Sequence, residues 1–470
     1  MDSLLSILSM FFWFIVILIP LVTIHEIGHL LFARLFGVKV PEFGIGMPPR
    51  WVHKKWLGIV WSLNYLPLGG FVRIYGDNDA IDQASDEAIK DPVLAKENYV
   101  KNRFVEILTN RELEFFLEAN NIEFDDEWRN FEKTFLTKKE KDEEFKKLEP
   151  LANQLETLIE WEFQTALKSS ETFFSKNIIQ KIIILLGGVT FNLLAAFILF
   201  FIVVTTATPT APMFPDEIGQ LTPQNVSVVS EAKEITVVQV DLDSPAYKAG
   251  IRNNFEILEI GGKQSSEFRN RDQFTQVIQN AGENGVPVTF RNPQSGEVKT
   301  ATIESKKVSD RYLIGVSGFG RMVSVKANDF GTGVTMAFNS TTGWFTTQLS
   351  LVGDIFTSWL PNAKNPNAAD SVGGPIAVSK VGGYIFNNYG LAGILNLIAI
   401  ISVGLAVFNL LPIPALDGGR ILIVLLSKIF GKRNRNLEAA VINITFIAML
   451  GLALVIAFKD IRDVFGGKYG

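Results

Sequence analysis

Cysteine is missing from this 470-residue chain. Its absence excludes disulfides and thiolate metal sites, so a bound metal would have to be held by nitrogen and oxygen. Histidine is scarce, with only His25, His29 and His53. Nor is there an excess of cations: 44 Lys and Arg against 49 Asp and Glu leave a net charge of −5. Without a basic footprint the chain has no electrostatic means of tracking a phosphate backbone, so no nucleic-acid partner is expected. The opening Met1-Asp2-Ser3 carries no Lys or Arg. The apolar run behind it therefore lacks the basic start of a cleaved secretory signal and reads as retained.

Charge is thin in four runs of membrane length: Leu4 to about Phe36, Ile178 to Val204, Leu391 to about Phe430, and Ala439 to Phe458. With 47% hydrophobic residues and a mean hydropathy of +0.22, the composition fits a membrane core plus one or two soluble domains. Arg34, Lys39, Arg50, Lys54 and Lys55 follow the first run, and Lys428, Lys432, Arg433 and Arg435 lie between the third and fourth. Cations gather on the cytoplasmic side, so the N-terminus is expected outside and both clusters inside.

Two motifs interrupt the apolar runs. In His25-Glu26-Ile27-Gly28-His29, the imidazoles fall one helical turn apart on one face and can share a metal ion, while the adjacent glutamate can take a proton from water. Polar groups are costly at membrane depth and point to function there. One helix supplies only two ligands, whereas a catalytic zinc usually has three from protein. The best source of a third is Asn409-Leu-Leu-Pro-Ile-Pro-Ala-Leu-Asp417-Gly-Gly-Arg420, in which Asp417 is the only acid between Asp370 and Glu438. Pro412 and Pro414 break a helix, and non-helical backbone inside a membrane must face protein or a cavity. Both motifs follow about 20 apolar residues entered from outside, so both should reach the same depth, toward the cytoplasm. Asp354 and Asp370 are the next acids in line.

H-E-x-G-H in a first span, paired with N-x-x-P-x-P-x-L-D-G in a later one, resembles the site-2 protease family of zinc intramembrane metalloproteases. Within it the chain is most similar to the bacterial regulators that cleave membrane-anchored anti-sigma factors. The resemblance implies a zinc endopeptidase of the bacterial inner membrane. In it His25, His29 and Asp417 hold Zn2+, and Glu26 is the general base and acid. Its substrates would be single-span membrane proteins, either anti-sigma factors or signal-peptide remnants. The competing class of function is a non-catalytic metal-dependent membrane scaffold or transporter; it has no need for Glu26, a buried acid that is not a ligand.

The remaining chain divides on the same footing. Residues 1–40 hold the first span. Residues 41–76, broken by Gly and Pro turns, read as short strands and match the family's membrane-associated β-hairpin, whose edge near Gly44 and Gly46 is expected to pair with an unwound substrate alongside the Asn409 amide. His53 falls there without a partner. Residues 77–176, rich in acid and lysine with helical apolar spacing, form a mainly helical cytoplasmic insertion with no counterpart to transfer from. Residues 177–208 carry the second span, opening on Gly187-Gly188-Val189-Thr190-Phe191-Asn192 where relatives have G-P-x-x-N; Asn192 can hydrogen-bond between helices. Residues 209–310, with Ser244-Pro-Ala-Tyr-Lys-Ala-Gly250, resemble a mixed α/β PDZ domain outside the membrane, either taking a peptide in its groove by strand addition or acting as a size filter. Residues 311–388 read as an interfacial amphipathic linker, 389–436 as the third span with its Pro-rich break, and 437–470 as the fourth. The fold class is thus an α-helical membrane protein of four transmembrane helices carrying these parts.

Overall fold

The computed structural model describes residues 2–465 apart from 77–91, 110–112, 121, 138–147, 174, 207, 218–224, 242–243, 294, 309–310, 359–373 and 431–434. Lys432, Arg433 and Asp370 therefore lie outside the described residues, as do parts of the insertion. In chain order, α1 (Asp2–Leu35) leads to β1 (Glu42–Trp56) and β2 (Ile59–Arg73). The helices α2 (Pro92–Thr109), α3 (Leu113–Ala119), α4 (Asp126–Thr137) and α5 (Glu149–Lys168) follow. Next come α6 (Ile178–Leu185), α7 (Gly187–Thr206), β3 (Thr208–Met213) and β4 (Val226–Val240). After them stand α8 (Pro245–Lys248), β5 (Glu256–Ile260), β6 (Lys263–Gln264), α9 (Arg271–Ala281), β7 (Val286–Arg291), β8 (Val298–Ile303), β9 (Lys306–Val308), β10 (Arg311–Leu313) and β11 (Val316–Ala327). The chain ends in α10 (Phe330–Thr357), α11 (Pro375–Asn409), α12 (Asp417–Phe430) and α13 (Arg435–Phe465). Two compact units result: Met1–Ala195 with Ser402–Phe458, and Ala196–Ile401 with Lys459–Gly470.

In the first unit, β1 and β2 join through Leu57 and Gly58, both at positive φ, the tight turn that suits the twist of paired strands. The hairpin then bends back on itself. Residues 42–45 pair on one side with 60–63 and on the other with 70–73, while 50–56 pair with 59–64. Two long strands thus fold into a small sheet in which 50–56 and 70–73 form the margins. Gly44 is therefore not at an edge: it is paired on both sides, and a Cβ on it would meet the Phe71 ring at 2.4 Å. Gly46 has φ +81, and its Cβ would stand 2.6 Å from the Leu66 carbonyl oxygen. The edge on that side lies instead at 70–73, which pairs with 42–45 alone among the described residues. His53 sits exposed on the opposite margin.

Helices α2 to α5 pack around Phe104, Ile107, Leu108, Phe131, Leu155 and Ile159. These recur at the spacing that brings one face of each helix inward, so the insertion has its own core. Within the same unit, backbone bonds linking Lys39, Tyr75, Glu171 and Phe173 tie the two ends of the insertion together.

The second unit centres on a seven-stranded sheet with its path running β3-β11-β4-β5-β7-β8 and β6 beside β5. Phe214, Ile235, Val237, Ile257, Phe274, Val288 and Phe290 are buried in its core. Ser244 caps α8 and Asn270 caps α9, each accepting from a first-turn amide. The domain runs on to Ala327, so it includes β10 and β11, which the expected boundary at residue 310 cuts off. β11 is a central strand whose partner β4 comes before β5 to β10 in the chain, a pairing that no local pattern displays. After it, α10 buries Gly333, Ala337, Thr341 and Val352 along one face and leaves Phe330, Phe338 and Phe356 exposed.

Among the described residues, three helical stretches are long and apolar enough to cross a membrane: Phe11–Leu35, Gly187–Thr206 and Gly390–Asn409. α13 covers the fourth apolar run. The second run departs from expectation, because Leu186 ends α6 before α7 begins. Immediately before the third run, Gly390 at φ +62 separates two helices within α11.

Candidate metal centre

α1 carries His25 and His29 one turn apart, and both rings turn to the same point. His25 Nε2 and His29 Nε2 are 3.2 Å apart. Asp417 Oδ2 lies 3.2 Å from the first and 3.3 Å from the second. All three residues are buried, at 9%, 5% and 8% exposure, and Asp417 Oδ2 makes no hydrogen bond. An unsatisfied buried carboxylate oxygen is costly, so a nearly equilateral triangle of inward donors calls for a cation. A tetrahedral ion with bonds of about 2.0–2.1 Å needs its donors about 3.3–3.4 Å apart, close to these edges. The donor set of two nitrogens and one carboxylate oxygen suits zinc.

Each donor is held by a break in regular structure. His29 Nδ1 donates to the Ile184 carbonyl at 2.9 Å. That carbonyl is in the last turn of α6, where helix carbonyls lack their usual amide partner. The bond puts the proton on Nδ1 and leaves the Nε2 lone pair toward the cluster. Close approach depends on absent side chains: a Cβ on Gly28 would be 2.1 Å from the Gly187 oxygen, and one on Gly188 would meet His25 ring atoms at 2.3–2.6 Å. Small residues let the two helices meet backbone to backbone. Asp417 opens α12 after residues 410–416 make tight turns. A Cβ on Gly418 would be 2.3 Å from the Leu410 oxygen, and one on Gly419 would be 2.0 Å from the Ile413 oxygen. Hence the two glycines after the aspartate: they let the turn fold over the start of the helix.

Glu26 stands beside the triangle and outside it. Its Cγ is 3.4 Å from where a Gly70 Cβ would be, and the Val72 backbone hydrogen-bonds to its carboxylate. The edge segment 70–73 therefore runs alongside the general-base candidate. Asn409 is not in the cluster, since its Nδ2 donates to Leu405 O at 2.9 Å within its own helix. Asp354 lies on α10 and is not among the clustered acids. Two contributions had no clear signal in the sequence: the Ile184 carbonyl, exposed by an unforeseen helix end, and Gly188, visible only as half of a Gly-Gly pair. Asn192, readable as an interhelical hydrogen-bonder, has its Nδ2 3.2 Å from His25 Nδ1.

Residues 13–452 match peptidase family M50. The chain is 28% identical over 466 residues to "Probable protease eep" of Enterococcus faecalis, covering 96% of this chain and 98% of that one. It is 25% identical over 457 residues to "Zinc metalloprotease RasP" of Geobacillus kaustophilus, covering 96% and 97%.

Proposed function

The chain belongs to peptidase family M50, and from that premise we propose that it is a zinc-dependent endopeptidase cutting peptide bonds within or beside transmembrane helices of other membrane proteins. The observation that carries this reading is the 3.2–3.3 Å triangle of His25, His29 and Asp417 donors, with Glu26 adjacent but not part of it. Zinc held there supplies a Lewis acid that polarises a carbonyl and brings the pKa of water to about 7. Glu26 takes the proton from the attacking water and returns it to the departing amine nitrogen. The backbone of 70–73 orients Glu26 through the Val72 contact. A scaffold would have no use for this acid.

A helix keeps its carbonyls in its own hydrogen bonds, so the cleaved segment must unwind. The outer side of 70–73, where no further strand pairs among the described residues, supports strand addition beside Glu26, with Gly44 and Gly46 acting from the strand behind it. Asn409 would have to leave Leu405 to hold a substrate carbonyl. The cation distribution supports an N-terminus and a β3–β11 sheet domain outside, with the helical insertion in the cytoplasm. On this reading α13 is the fourth span, the small sheet of β1 and β2 lies against the bilayer, and the setting is a bacterial inner membrane. The substrates are single-span proteins such as anti-sigma factors or signal-peptide remnants. The outer sheet domain, read as PDZ-like, takes a peptide or filters by size.

The test pairs turnover of a helix-spanning reporter in liposomes with zinc content on the same sample. Glu26→Gln preserves shape but cannot accept the proton, so turnover should fall by about 10²–10⁴-fold or more with one zinc retained. Wild-type turnover in that variant would rule the mechanism out.

A further inference from the structure

Resting on the reading of His25 as a zinc ligand, we propose that Asn192 is a positioning residue: its side-chain oxygen accepts a hydrogen bond from His25 Nδ1–H and so keeps the His25 Nε2 lone pair aimed at the metal. Asn192 is fully buried; its Nδ2 is placed 3.2 Å from His25 Nδ1 while its Oδ1 is buried with no hydrogen-bond partner among the described residues, and turning the carboxamide over brings that oxygen to the ring. Gly188 and Asn192 lie one turn apart on α7. The first leaves space for the imidazole and the second catches its far nitrogen. Asn192 is fixed in turn, because Ser402 Oγ donates to its backbone carbonyl at 2.8 Å.

The direction of the bond follows from tautomers. His29 gives its Nδ1 proton to a carbonyl, which can only accept. For His25 to offer Nε2 as well, its own proton must be on Nδ1, and the partner there must accept. A carboxamide presents oxygen or nitrogen with the same shape, and the network decides which. With nitrogen toward Nδ1, the His25 proton would move to Nε2, facing His29 Nε2 at 3.2 Å, and block ligation. The oxygen must therefore face the ring. Groups that hold the second nitrogen of a metal-binding histidine set its tautomer and orientation.

Two variants separate acceptor from donor. Asn192→Asp can only accept and should hold zinc within a few-fold of wild type in chelator competition. Asn192→Leu keeps the volume, removes the acceptor, and should weaken zinc by about 10–100-fold. The cobalt-substituted protein should show a changed visible spectrum in the Leu variant alone. Nitrogen-15 NMR of histidine in the metal-free protein gives an independent readout, and His25 should be protonated at Nδ1 in wild type and Asp but not fixed there in Leu. Loss of zinc and of the Nδ1-protonated form in Asn192→Asp, or an unchanged Leu variant, would overturn the proposal. If wild type itself bound no zinc, the endopeptidase reading would fall, while the NMR comparison would still decide the role of Asn192.

Discussion

At the scale of single residues, four groups in this site were legible because they are chemically out of place. Two histidines, a glutamate and one aspartate stand in runs where charge is thin, and burial of such groups without a task is unfavourable. Gly188 was not legible in the same way, since a glycine in an apolar helix has no chemistry of its own and its meaning is the ring that packs against it. Gly188→Ala tests this. A Cβ there would lie 2.3–2.6 Å from three His25 ring atoms, about 1 Å inside ordinary contact, and the imidazole would have to swing away. Zinc affinity should drop by about 10-fold or more, read by chelator competition. Asp417→Ala removes one of the three donors and should also lower zinc occupancy. Full zinc and full turnover in that variant would require another third ligand.

At the scale of elements, helices were legible from composition, whereas the bends that make the site were not. Apolar length announces α1, α7 and the second half of α11. It does not show that the chain stops at Leu186, frees the Ile184 carbonyl and restarts, because that break is stabilised by contact with Gly28 on another helix. The hairpin is similar. Alternation and turn residues mark strands at 41–76, but the partners of 42–45 on both sides are set by tertiary folding, so the edge is 70–73 and not the Gly44–Gly46 strand. The position of that edge has a consequence. A Cβ on Gly70 would come within 3.1 Å of the Gly44 oxygen, 3.3 Å of Val22 and 3.4 Å of Glu26. Gly70→Val adds two methyl groups beyond this, displacing either the edge or the carboxylate. Misplacement by about 1 Å costs roughly 10²-fold in rate, so turnover should fall by that order with zinc intact. Loss of zinc together with turnover would show that the strand supports the metal cluster as well as Glu26.

At the scale of the whole molecule, the candidate metal ligands His25, His29 and Asp417 all belong to one compact unit and the seven-stranded sheet to the other. The sheet domain was legible in outline from the Ser-Pro-Ala helix, although neither of its ends was, because Thr208–Met213 at one end is the strand β3 and β11 at the other closes the sheet after a long excursion. The larger core cluster of this sheet is drawn from residues between Phe214 and Phe319, the smaller one of Val226, Val323 and Val325 takes only Met336 from outside 208–327, and its helices carry their own caps at Ser244 and Asn270. Residues 208–327 should therefore fold alone. A fragment of about 120 residues with such a core should melt cooperatively with an unfolding enthalpy of roughly 80 kcal/mol near 60 °C. A fragment ending at residue 310 lacks β11, leaving β4 without its long partner and the core without Phe319. It should melt at far lower temperature or not fold. Calorimetry and circular dichroism on the two fragments make the comparison. Equal melting would mean that β11 is dispensable to the sheet. A cooperative melt of the longer fragment alone sets the end points for the complementary experiment, removal of 208–327 from the full chain. That deletion should leave zinc stoichiometry unchanged, because the cluster uses no residue from the sheet, and alter which reporters are cut.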